Sequence, residues 1–144
     1  MHCIPSTQHL QIDLTGKHAK IVGADPRPSL QEQADAMQPK TLGLVLVTAA
    51  SKAEAEAIAQ HLVTHHLAAC VSLQPIHSIY SWQDTLHHDD EWQLVIKTDL
   101  GLFADIEAAV RAIHSYDVPE IVGIPFTVGS QDYLTWVASQ TQAP

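Results

Sequence analysis

The stretch AACVSLQPIHSIYSWQDTLHHDDEWQLVIKT, Ala68 to Thr98, decides the fold. Its apolar residues are mostly β-branched or aromatic, with polar residues interleaved, as in half-buried strands. A polar segment, Gln83 to Asp90, separates two arms, so the stretch predicts a long antiparallel hairpin. Pro75 cannot donate a ladder hydrogen bond, which predicts a bulge or bend in the first arm. In the second arm Trp92, Leu94 and Ile96 share one face, and Glu91, Gln93, Val95 and Lys97 share the other. Ala68 to Trp82 is fifteen residues. An uninterrupted strand of that length spans roughly 50 Å, against a diameter of roughly 34 Å for a compact domain of about 100 residues. Either one arm projects beyond its own sheet, leaving unpaired edges and exposing Tyr80, Trp82 and Trp92, or Pro75 folds that arm into two shorter strands within one monomer. A projecting arm is expected to be covered by another subunit.

The flanking segments complete a recognisable order. Leu42 to Val47 (LGLVLV) is a continuous apolar run suited to a central strand buried on both faces. Ser51 and Glu54 match a capping box, with Ser51 as N-cap and Glu54 reaching back to it. The helix they open places Ala55, Ile58, Ala59, Leu62 and Val63 on one face and is expected to stop near His65 or His66. After the hairpin, a helix is expected from about Leu100 to His114, with Leu102, Phe103, Ile106, Val110 and Ile113 as its stripe. Glu120 to Phe126 reads as a short strand that Pro125 confines to an edge or an end. Ser130 to Ser139 reads as a final helix. The order is β-α-β-β-α-β plus a helix: an α+β, ferredoxin-like fold with an antiparallel sheet and two helices on one face.

Residues 1–40 differ from the rest. His18 to Val22 could form a strand ending in Gly23, but the turn of a dinucleotide site is absent, since Gly23 is followed by ADPRP. A flexible extension is expected there, with residues 41–144 forming the folded domain and Met37 a candidate start. The net charge of −9, with only seven Lys and Arg among 144 residues, argues against nucleic acid as a partner. There is neither an apolar run of membrane-spanning length nor a basic segment leading into an apolar one, so a cytoplasmic compartment is expected. Cys3 and Cys70 are too far apart in sequence to suggest a zinc or disulfide framework.

Five segments in register then point to a family. Leu67 to Val71 (LAACV), Ser78 to Trp82 (SIYSW), Ile96 to Thr98 (IKT), His114 to Glu120 (HSYDVPE) and Tyr133 to Trp136 (YLTW) resemble the CutA family of divalent-cation tolerance proteins. The resemblance runs from Leu42 to about Ala138. It implies a homotrimer in which long strands of one subunit continue the sheet of the next, similar to the trimeric PII signalling proteins with their effector clefts between subunits. Two departures stand out. Trp82-Gln-Asp84-Thr85 replaces the family's Trp-x-Gly-Lys, and His114-Ser-Tyr-Asp117 replaces His-Pro-Tyr-Glu.

Two chemistries compete. The resemblance implies a role in the response to metal ions, with Cys70 matching a family cysteine linked to copper. A thiolate suits Cu(I) or Zn, yet the matching domain holds no second cysteine. His61 and His65, four apart on a helix, and the run His87-His88-Asp89-Asp90-Glu91 are further candidate donors, and either set also reads as a solvated face. No cofactor is required by any motif; copper or another divalent metal is the candidate. The alternative is a small-molecule binding or signalling protein using intersubunit clefts. Tyr80, Trp82, Lys97, His114, Tyr116, Glu120 and Trp136 are its candidate residues, with Lys97 suggesting an anionic metabolite. No nucleophile has an obvious base, and His114 reads better as a structural hydrogen-bonder than as an acid-base group, so no enzyme is expected.

Overall fold

The computed structural model describes residues 39–144. The expectations for residues 1–38, including the strand at His18 to Val22 and the start at Met37, lie outside the described residues. The elements are β1 (Leu42–Ala49), α1 (Lys52–Thr64), β2 (Cys70–Trp82), β3 (Thr85–Asp99), a short 3₁₀ turn (Leu100–Leu102), α2 (Phe103–Ile113), β4 (Ile121–Pro125) and α3 (Gln131–Gln140). All strand pairings are antiparallel, in the sheet order β2-β3-β1-β4. This is the expected ferredoxin-like arrangement with a C-terminal helix.

One face of the sheet carries the core. Val45, Val47, Leu94 and Ile96 are fully buried against Ala55 and Ile58 of α1 and Ile106 and Val110 of α2. Trp92, Val71 and Leu73 flank them, so the alternation read in β3 holds. In α1 the stripe is narrower than expected, because Val63 is 42% exposed. The 3₁₀ turn that precedes α2 is capped by the Asp99 carboxylate, which accepts from the Gly101 N–H at 2.9 Å. β4 is an edge strand and Pro125 is its last residue, as its chemistry requires.

The expected bulge at Pro75 is not there. β2 and β3 pair without interruption from Cys70↔Lys97 to Trp82↔Thr85, with Pro75 opposite Trp92. The reason is topological: β2 has a neighbour on one side only, and an edge strand tolerates a residue without an N–H. The polar segment Gln83 to Asp90 is likewise mostly strand rather than connection. Only Gln83 and Asp84 form the turn, with φ of 50° and 59°. Positive φ at both central residues is the geometry of a tight type I′ hairpin turn, and Asp tolerates it better than most residues.

The hairpin therefore outruns its sheet. β1 covers β3 only from Trp92 to Asp99. Ile76–Trp82 and Thr85–Glu91 pair with each other alone, as a two-stranded ribbon about 20 Å long. The other face of the sheet is also incompletely covered. β1 alternates buried and half-buried residues, so the expectation of burial on both faces fails within one subunit. Leu44 and Leu46 look out on that face beside Val122 (47% exposed) and Ile124 (44% exposed) of β4.

β1 also contains a close approach. A Cβ on Gly43 would collide with the backbone carbonyl of Ile124 and press on the Leu100 side chain. Gly43→Ala is expected to lower unfolding stability by about 1–3 kcal/mol by forcing β4 away from β1. Urea unfolding of the variant checks this, and an unchanged midpoint would mean that β4 can yield without cost.

Candidate functional site

From the base of the ribbon towards its tip, the end of β1, the ribbon strands β2 and β3 and the loop from α2 to β4 line a cleft of about 600 Å³. Ser78, Tyr80 and Trp82 come from β2, Glu91 from β3 and Thr48 from β1. The loop contributes Ser115, Tyr116, Asp117, Val118 and Glu120. Strand alternation puts Ser78, Tyr80, Trp82 and Glu91 on one side of the ribbon.

Two anchors hold the loop in place. His114 Nε2 donates to the Thr48 carbonyl at 2.7 Å, and His114 Nδ1 accepts the Tyr116 backbone N–H at 3.0 Å. These partners define the tautomer, because a carbonyl demands a donor and an N–H demands an acceptor. The ring has no solvent exposure. Glu54 is the second anchor. Its Oε1 accepts the Ser115 N–H at 2.5 Å, and its Oε2 accepts the Ser115 hydroxyl at 3.2 Å and the Ala50 N–H at 3.1 Å. The capping box is thus half realised. Ser51 caps the Glu54 N–H at 3.2 Å, while Glu54 bonds to Ala50 and the distant loop instead of to Ser51.

Burial opposes ionisation of Glu54, but the donors from Ser115 and Ala50 outweigh it and hold its pKa below the ordinary carboxylate value. The sign follows. A carboxyl depressed in the folded state stabilises the fold above its unfolded pKa, and that contribution is lost as pH falls through the lower folded value. Stability should therefore drop on acidification below about pH 4.5, and Glu54→Gln should flatten that part of the profile. Urea midpoints between about pH 3 and pH 7 decide it; equal acid slopes for the two proteins would mean that Glu54 ionisation does not contribute to stability.

Within the cleft, Glu91 is 6% exposed, and its Oε1 accepts the Tyr116 hydroxyl at 2.9 Å. Burial and this bond raise the Tyr116 pKa. Tyr80 donates to Asp89 at 2.6 Å, which raises its pKa too, and its ring stacks on His87. The Thr48 hydroxyl donates to Glu120.

The residues singled out from the sequence do not all converge. Tyr80, Trp82, Tyr116 and Glu120 line the cleft, and His114 lies beneath it as an anchor. Lys97 is six residues beyond Glu91 along β3, roughly 20 Å away, with its ammonium donating to the Ser72 hydroxyl. Trp136 sits on α3 against Tyr133, with ring centroids 5.7 Å apart. Within one subunit, the lysine that suggested an anionic ligand is outside the cleft. Thr48, Ser78, Glu91, Ser115, Asp117 and Val118 were not singled out for it. The alternation of β3 was the available signal for Glu91, which faces away from Trp92.

Metal donors are scattered as well. Cys70 pairs in register with Lys97. His77 and Asp90 meet across the ribbon at 2.8 Å, and the His61 and His65 rings stack at 4.1 Å. The run from His87 to Glu91 is strand, so adjacent donors diverge to opposite faces. Among the described residues no three His, Cys, Asp or Glu side chains gather to hold a metal ion. No helix among them is long and apolar enough to cross a membrane.

A ferredoxin-like chain with an overlong β2-β3 ribbon and a cleft along it defines the class. The CutA1 divalent ion tolerance protein model matches residues 43–140, and the chain belongs to that family. The divalent-cation tolerance protein CutA of Thermus thermophilus is 41% identical over 99 residues, which is 68% of this chain and 96% of that protein. The chloroplastic protein CutA of Arabidopsis thaliana is 38% identical over 100 residues, 69% of this chain and 55% of that protein. The solved structure of the periplasmic divalent cation tolerance protein CutA of Archaeoglobus fulgidus superposes with a TM-score of 0.69 at 35% identity, covering 70% of this chain and 99% of that one. The family is described by tolerance of divalent ions rather than by a reaction.

Proposed function

We propose that the chain serves divalent-cation tolerance as a homotrimeric, PII-like small-molecule binding protein whose site is the cleft along the ribbon. The observation that carries this reading is the gathering of an indole, two phenols and three carboxylates around about 600 Å³. That volume falls in the range of small-molecule pockets, and a few placed polar groups in aromatic walls give such pockets their specificity. The assembly is supported by the bare ribbon and the half-covered sheet face, both of which a neighbouring subunit would satisfy. Three as the subunit number follows the family resemblance. A direct metal site at Cys70 is the lesser reading, since no three His, Cys, Asp or Glu side chains gather to hold a metal ion among the described residues.

Calorimetry on tag-free protein separates the readings. Cu(II) and Zn(II) are expected to bind weakly and without fixed stoichiometry, through dispersed histidines, and Cys70→Ala should leave those isotherms unchanged. Stoichiometric binding at submicromolar concentration that disappears in Cys70→Ala would install the metal reading in place of the cleft.

A further inference from the structure

The charge of the cleft says what it would take. Three of its lining residues, Glu91, Asp117 and Glu120, carry carboxylates, and no lysine, arginine or histidine lines it. Glu91 is the decisive one, being more than nine-tenths buried at the cleft wall. One of its oxygens accepts the Tyr116 hydroxyl, and the other has no hydrogen-bond partner among the described residues. It is nonetheless not sealed off, because no buried side-chain oxygen or nitrogen among the described residues lacks a partner. The second oxygen therefore opens onto the cleft. Tyr116, whose hydroxyl bonds to Glu91, and Tyr80, on the same side of the ribbon, supply the nearer ring faces, while Trp82 lies at the far end of the cleft, at the ribbon's tip.

We infer that the cleft selects an organic cation: an amine or quaternary ammonium group seated between Glu91 and the nearer rings, Tyr116 and Tyr80. This rests on the cleft reading above and reverses the anionic ligand expected from Lys97. A buried carboxylate with a free acceptor oxygen favours a positively charged donor, and aromatic faces attract ammonium groups through the ring quadrupole. A small inorganic dication is the poorer match. The space is much larger than an ion needs, and no three donors converge among the described residues. An anion would meet three carboxylates with no cation in the lining to offset them.

The test titrates the assembled, tag-free protein with tetramethylammonium, butylammonium, glutarate and Zn(II) by calorimetry. One or both ammonium probes should saturate at one per cleft, and glutarate should not. Glu91→Gln keeps an acceptor for Tyr116 but removes the charge, and should weaken ammonium binding by about tenfold or more. Asp117→Asn, in an exposed loop, should weaken it less and tests the charge without touching the buried wall. Each variant is checked for an unchanged oligomeric mass. If glutarate saturates instead, the cleft reading stands and the cation assignment falls. If Zn(II) alone saturates and Glu91→Gln abolishes it, the site is a metal site. If no probe binds, both readings fail.

Discussion

His114→Ala is expected to abolish ligand binding in the cleft and to lower stability by about 2–5 kcal/mol. The imidazole is wholly buried and joins two separate parts of the chain. Through Nε2 it grips the Thr48 carbonyl at the end of β1, and through Nδ1 it receives the Tyr116 N–H in the loop before β4. Alanine leaves both backbone groups without their partner and opens a hole where the ring packed at 5.1 Å from Tyr116. Once Tyr116 shifts, its hydroxyl no longer meets Glu91, and the wall of the cleft comes apart. Chemical denaturation gives the stability loss, and titration with the ammonium probe gives the binding loss. Glu54→Ala, which removes the second anchor, should act in the same direction, and the two losses should not add, because both residues hold one loop. A His114→Ala protein that binds normally would show that Glu54 alone fixes the loop.

Dilution is also expected to lower stability. If three subunits cover one another's ribbons and open sheet faces, unfolding is coupled to dissociation, and mass action enters with two powers of the concentration. A hundredfold dilution then removes about 5 kcal/mol per mole of trimer from the apparent stability. Thermal or urea midpoints under reversible conditions should fall visibly across that range. A monomer that folds by itself would show no change. The physical basis is the surface left open in one subunit: Val122 and Ile124 near half exposure, Leu44 and Leu46 beside them, and a two-stranded ribbon with no hydrophobic layer beneath it. Such a ribbon is marginal in water on its own.

Much of this was readable from the residues because burial writes itself into alternation. Trp92, Leu94 and Ile96 declared the core face of β3, and Ile106 and Val110 the inner face of α2. The reading failed where backbone pairing, rather than burial, makes the structure. His87 to Asp90 are polar because the ribbon leaves the core, and they are still strand because β2 runs beside them. Pro75 looked disruptive because the sequence does not say which side of a strand is open. The site suffered from a related blindness. Tyr80, Trp82 and Tyr116 announced a cleft by being aromatic near strand ends and in a loop. Lys97 and Trp136 share that placement at strand ends and on the last helix, and only the register puts Lys97 beside Ser72 and far from Glu91 within one chain. The capping-box pattern correctly placed Glu54 at the start of α1. Nothing local could have revealed its bond to Ser115, 61 residues away.

The proposed assembly makes the overlong hairpin an interface between copies of the chain. Light scattering coupled to size exclusion, on the full chain at several concentrations, decides it. A single species of three times the 15.7 kDa chain mass is expected. A clean 15.7 kDa monomer, stable with its ribbon bare, would contradict it.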